Sequence, residues 1–129
     1  MIENYSSFGR FPKVQHKDII HLFRTSDCID FDNFDGSVLP YGLGKSYGDS
    51  CLNPDNYLID ISKLNRFISF DSNTGILKAE SGVTLQECID VLLPQGYFLP
   101  VTPGTKLITL GGAVANDVHG KNHHKFGTF

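Results

Sequence analysis

Pro103-Gly104-Thr105-Lys106-Leu107-Ile108-Thr109-Leu110-Gly111-Gly112-Ala113-Val114-Ala115-Asn116-Asp117-Val118-His119-Gly120-Lys121-Asn122-His123-His124 is the stretch on which the reading of this chain turns. Its counterpart lies earlier, at Gly42-Leu43-Gly44-Lys45-Ser46-Tyr47-Gly48-Asp49. Both are runs of small residues and turn formers that present backbone N–H groups. Both also carry polar side chains that apolar packing does not need. Two such loops in one small α+β unit predict two walls of a site for a large phosphorylated cofactor.

The rest of the composition narrows the class. At 129 residues the chain is one domain or part of one, and 40% apolar with 12% aromatic residues suffices for a buried core. A net charge of −3 and a pI near 5.9, with no cluster of Lys and Arg, argue against a general nucleic-acid binder. No apolar run approaches the ~20 residues that span a bilayer. Met1-Ile2-Glu3-Asn4 lacks the charged and apolar regions of a leader. Cys28, Cys51 and Cys88 are odd in number and form no CxxC pair. The expectation is a reduced, cytoplasmic protein.

Along the chain, Asp18 to Phe23 reads as a short helix and Thr25 to Gly36 as irregular. Val38-Leu39 reads as a strand entering the glycine loop, and Tyr57 to Ile61 as a second strand followed by a turn at Leu64-Asn65. Phe67 to Phe70 and Ile76 to Glu80 flank a turn in which Gly75 supplies positive φ, the pattern of a β-hairpin. Thr84-Leu85-Gln86-Glu87 is a capping box opening a helix through Leu92, with Val83 stapled onto Cys88 and Pro94 and Gly96 as its stop. Tyr97-Phe98-Leu99 reads as a short strand, and Thr109 as the cap of a short helix from Leu110.

Several motifs compete for these loops. Gly44-Lys45-Ser46 suggests a phosphate-binding P-loop, but the required earlier glycine is Leu39 and Pro40-Tyr41 stiffens the approach. The spacing G-x-G-x-x-x-G, with no helical pattern after Asp49, also departs from the dinucleotide fingerprint. A nest of backbone donors remains, against the plainer reading of a tight turn between strands. His119-x-x-x-His123-His124 has metal-ligand spacing, but Gly120 and Asn122 disfavour the helix it needs and no cysteine is near. His123 and His124 are therefore read as surface polarity, whereas His119 directly follows the small-residue helix. Gly111-Gly112 serves either close backbone packing or close approach of a flat or anionic ligand, and Pro103-Gly104-Thr105 just upstream favours the ligand.

At these residues the chain resembles the FAD-linked oxidases of the vanillyl-alcohol-oxidase type, with their PCMH-type FAD-binding fold. The resemblance runs from Phe8-Gly9-Arg10 to Phe129. The G-x-G-x-S-Y-G-D and P-G-T…G-G-A elements carry the family. The ending His119-Gly120-Lys121-Asn122-His123-His124 is similar to the decaprenylphosphoryl-ribose oxidase branch.

Position by position, the resemblance implies that Pro40, Tyr41, Gly42, Leu43, Gly44, Lys45, Ser46, Tyr47, Gly48, Asp49 and Ser50 surround the FAD pyrophosphate. Gly104, Thr109, Leu110, Gly111 and Gly112 would form the second wall, and Asn116, Asp117, Val118 and His119 would run along the cofactor toward the flavin ring. His119 and Lys121 would stand on the substrate side as catalytic residues, with the Tyr47 hydroxyl nearby. Some relatives tether FAD through a His just before the Ser of the first loop; Lys45 occupies that place, so FAD is expected without a covalent link.

The activity implied is oxidation of the 2-hydroxyl of a lipid-linked sugar, a polyprenyl-phosphoryl ribose, to a 2-keto sugar, with a reductase partner completing epimerisation. The alternatives are an FAD-linked oxidase of another polyol, sugar lactone or 2-hydroxy acid, and a non-catalytic fragment that self-associates as a homodimer. Family members are several times longer, so residues 1–129 are expected to be the N-terminal part of an FAD-binding domain.

Overall fold

The computed structural model describes residues 5–129; Met1–Asn4, read above as lacking a leader, lie outside the described residues. The chain folds as two compact units, one through Lys63 and the other Leu64–Phe129.

The first unit is built on a parallel sheet of three strands, β1 (Asp18–His21), β2 (Val38–Tyr41) and β3 (Tyr57–Asp60), in the order β1-β3-β2. β3 lies in the middle and is the most apolar strand, with Leu58 and Ile59 buried. Burying a side chain such as Leu58 contributes about 1.5–3 kcal/mol relative to leaving it exposed. The segment expected as a helix, Asp18 to Phe23, is instead strand β1. Four residues cannot sustain a helix alone, whereas Ile19 and Ile20 are β-branched and pair with Leu58 and Ile59 on the central strand. The turn after β3 falls at Ser62-Lys63 rather than at Leu64-Asn65. Asp60 sets it early, because its Oδ1 accepts from the Ser62 amide at 2.8 Å in an Asx-type turn.

The second unit opens with the expected hairpin, antiparallel strands β4 (Phe67–Asp71) and β5 (Ile76–Ala79), with a bulge between Phe67 and Ser69. Gly75 sits at φ 72° in the turn and its amide donates to the Asp71 carbonyl at 2.8 Å. Helix α1 (Leu85–Leu92) begins with both halves of the capping box formed: the Glu87 amide donates to the Thr84 hydroxyl at 3.1 Å, and the Thr84 amide to the Glu87 carboxylate at 2.7 Å. Such caps are worth about 1 kcal/mol. Val83 and Cys88, both without solvent exposure, form with Leu92 the centre of this unit's core. Burial pushes the Cys88 thiol up to about 11, so it remains a neutral core residue. Gly96, at φ 83°, ends the single 3-10 turn that follows the helix.

Tyr97 to Leu99 form no strand. The Tyr97 amide is used on the Leu92 carbonyl, its ring meets Phe70 edge-on at 5.1 Å, and its hydroxyl donates to the Ser72 carbonyl. Capping the helix leaves this backbone no part in a ladder. Two short helices complete the unit: α2 (Leu110–Ala115), capped by Thr109 as expected, and the single turn α3 (His123–Phe126).

Candidate functional site

In the first unit, the glycine loop leaves the carboxyl end of β2, the usual position for ligand loops of parallel sheets. Gly44 and Gly48 both lie at φ 60°. A Cβ on Gly44 would stand 2.1 Å from the Ser6 carbonyl oxygen and 2.1 Å from the Tyr41 hydroxyl, so this position takes glycine on two grounds. Around Gly48 there is open space. The loop is anchored by the Phe8 amide on the Ser46 carbonyl at 3.0 Å and by the Leu52 amide on the Asp49 carbonyl at 2.8 Å.

The loop's own amides are differently disposed. Among the described residues, no backbone N–H from Gly42 to Ser50 donates to a protein oxygen. The Ser46 amide faces the Cys51 thiol, whose ionisation burial pushes up against the hydrogen bonds of its own amide and of the Ser46 amide and hydroxyl. A turn whose N–H groups donate to no protein oxygen fits the oxygens of a diphosphate. Lys45, Gly48, Asp49 and Ser50 are exposed around it, and Leu43 is 40% exposed. Tyr47 is 80% exposed, and its ring meets Phe8 edge-on at 5.5 Å. Tyr41, in contrast, turns inward: it is 8% exposed and its hydroxyl is spent on the Ser6 backbone.

In the second unit, the start of α2 differs from the sequence expectation. The Leu110 and Gly111 amides donate to Val83 and Ser81 carbonyls at 2.8 Å each, and the Gly112 amide to the Thr109 hydroxyl at 3.1 Å. The first two donors are taken up by the turn before α1 and the third by the Thr109 cap, so the start of α2 offers a bare surface rather than amides to an anion. Asn116 closes the helix by donating its side-chain amide to the Gly112 carbonyl at 2.8 Å, and Asp117 follows at φ 45°. Val118 bonds back to Ala113 and accepts from the Phe129 amide at 3.0 Å, which fixes the run into His119.

That run forms one wall of a cavity of about 620 Å³ between Thr102-Pro103-Gly104 and His119 to His123. Gly120 is required there, because a Cβ would lie 2.4 Å from the Thr102 carbonyl oxygen. Asn122 ties the same two segments by donating to the Pro100 carbonyl at 3.0 Å. His119 Nδ1 lies 3.1 Å from the Asp117 carbonyl oxygen and His123 Nδ1 lies 3.0 Å from that of Gly120. Carbonyl oxygens only accept, so each Nδ1 carries a proton, and in the neutral ring the lone pair falls on Nε2. The two rings meet at 5.1 Å. Lys121 lies exposed between them in sequence, and no carboxylate lines the cavity among the described residues. His123 is exposed, as expected of a surface residue, and also lines the cavity. Its role was hidden in the sequence, as were those of Gly120, Asn122 and Thr102, because each depends on the approach of the 100–104 strap.

Residues 29–129 match the FAD binding domain family, and the chain belongs to that family, with FAD as its cofactor. The PCMH-type α+β fold and the flavoprotein class read from the sequence both hold. Decaprenylphosphoryl-β-D-ribose oxidase of Mycolicibacterium smegmatis is 46% identical over 92 residues, covering 71% of this chain and 20% of the relative. D-lactate dehydrogenase of Anaerostipes hadrus is 33% identical over 70 residues, covering 54% of this chain and 15% of the relative. The chain therefore spans about a fifth or less of the length of these oxidoreductases. Among solved structures, alkyldihydroxyacetonephosphate synthase shares the fold with a TM-score of 0.59 at 23% identity, over 70% of this chain and 18% of that one. Among the described residues no helix is long and apolar enough to cross a membrane.

Proposed function

We propose that residues 1–129 are the N-terminal part of the FAD-binding domain of an oxidoreductase that oxidises the 2-hydroxyl of a polyprenyl-phosphoryl ribose to a 2-keto sugar. The observation that carries this reading is the His119–His123 run: it follows the small-residue helix of an FAD-binding domain and lines a cavity without carboxylates. The 46% identity to the mycobacterial ribose oxidase supports the same substrate class.

FAD, when bound, supplies the two-electron acceptor. The amides of residues 42–50, which donate to no protein oxygen, would hold its pyrophosphate, and the bare surface of Leu110 to Gly112 would admit the cofactor closely. Gly104 and Asn116 to Val118 would continue that wall. Lys45 stands where a tethering His would be, so the cofactor would be held without a covalent link. His119, with its Nε2 lone pair fixed by the Nδ1 contact, can take the proton of the sugar hydroxyl. Lys121 can hold a phosphate or hydroxyl oxygen as a point charge, and Tyr47, whose side chain is exposed on the first unit, is a further candidate for catalysis. A separate reductase would complete epimerisation. The free thiols of Cys28, Cys51 and Cys88 suit a cytoplasmic setting.

A second reading, oxidation of a 2-hydroxy acid, is favoured by the match to D-lactate dehydrogenase. Because residues 1–129 alone are expected to be inactive, anaerobic titration of the flavin-loaded whole enzyme that contains them separates the two. Bleaching of the flavin absorbance by polyprenyl-phosphoryl ribose, and not by D-lactate, is the expected result. Bleaching by D-lactate alone would install the second reading.

A further inference from the structure

We infer that Tyr41 is a positioning residue: its hydroxyl clamps the backbone of Ser6 beneath Gly44 and so holds the glycine loop with its amides donating to no protein oxygen. The inference rests on the FAD reading for its consequence, but its geometry stands apart from any ligand. The Tyr41 hydroxyl donates to the Ser6 carbonyl at 2.7 Å and accepts from the Ser6 amide at 3.2 Å. One side chain thus satisfies both polar groups of one backbone residue.

Gly44 packs directly on this pair, since its missing Cβ would fall 2.1 Å from each of the two oxygens. Two residues on, the Phe8 amide bonds the Ser46 carbonyl at 3.0 Å. The strap Ser6–Phe8 therefore grips the loop at two points, and Tyr41 fastens the first of them.

Tyr41 is itself held. Its ring meets that of Tyr5 at 4.9 Å, and the Tyr5 hydroxyl donates to Asp60 at 2.6 Å. Asp60 is the residue opposite Tyr41 in the β2–β3 register. The strap lies outside the 29–129 span matched by the family. A loop whose amides donate to no protein oxygen has no internal ladder to hold it, and a buttress of this kind supplies the missing order.

Nitrogen-15 relaxation on the full chain, wild type against Tyr41→Phe, tests the clamp. The wild type should show Gly44 to Ser46 amides near the rigid value of about 0.85. In Tyr41→Phe they should fall below about 0.6 while Leu58 to Asp60 in β3 stay rigid. Tyr41→4-aminophenylalanine, which restores a donor to the Ser6 carbonyl, should return the loop to wild-type order.

Titration of the same proteins with FAD and with riboflavin gives the functional arm. FAD should bind about tenfold more weakly to Tyr41→Phe, the loss expected for one removed hydrogen bond. Riboflavin, which has no phosphates, should bind both alike; a variant merely loosened throughout would lose both ligands together, and that result would overturn the inference. A wild-type loop already mobile, or a loop of equal order in all three proteins, would also overturn it, whether or not the Phe variant is fully stable. A rigid wild-type loop that takes up no FAD would instead remove the cofactor reading and leave the clamp standing.

Discussion

Gly44 and Gly48 share φ 60° but not surroundings, and the difference makes a prediction at the scale of single residues. Gly48→Ala meets only the left-handed backbone penalty, about 1–2 kcal/mol, because nothing lies within 4 Å of the new Cβ. Gly44→Ala meets that penalty and two oxygens at 2.1 Å, one of them backbone, so the Ser6 strap must move. Urea denaturation should place the midpoint of Gly44→Ala well below that of Gly48→Ala, and both below wild type. The sequence announced the loop through its glycine spacing but could not rank its glycines. Ser6 lies far from Gly44 along the chain, and its proximity exists only after Tyr41 has turned inward. The same limit applied to His123, whose place on a cavity wall follows from Gly120 lying against Thr102.

At the scale of elements, the base of the β4–β5 hairpin is closed by Arg66 and Glu80. The guanidinium donates to the carboxylate at 2.7–3.2 Å, the Arg66 amide donates to the same group at 2.9 Å, and the Glu80 amide returns a bond to the Arg66 carbonyl at 2.9 Å. Hydrogen bonds from the Arg66 side chain, then from its backbone, hold the Glu80 carboxyl below its ordinary value of 4.5 despite burial. The folded pKa is thus the lower one, so the pair's stabilisation is fully present above pH 4.5 and is lost as pH falls through the depressed folded value. Glu80→Gln should therefore lower the thermal midpoint at neutral pH and flatten its fall on acidification, measured by circular dichroism between neutral pH and strong acid. The hairpin, the capping box and the Thr109 cap were legible because each is written in adjacent residues. β1 and the Tyr97–Leu99 segment were not. A run as short as Asp18–His21 takes its structure from the strand it meets, and Tyr97 spends its amide on a helix end.

At the scale of the whole molecule, the cofactor was legible because two loops with glycines at family spacing lie in one short chain. Their chemical contributions proved unequal: the first loop offers amides that donate to no protein oxygen, whereas the start of α2 has spent its own. The central claim is that this chain binds FAD and does so without a covalent bond. The direct measurement is the visible absorption spectrum of the purified chain supplied with FAD, followed by acid precipitation. The account predicts flavin absorbance that moves entirely into the supernatant. Colour retained in the pellet would contradict the inference from Lys45, and a chain that takes up no flavin even from excess FAD would contradict the claim itself.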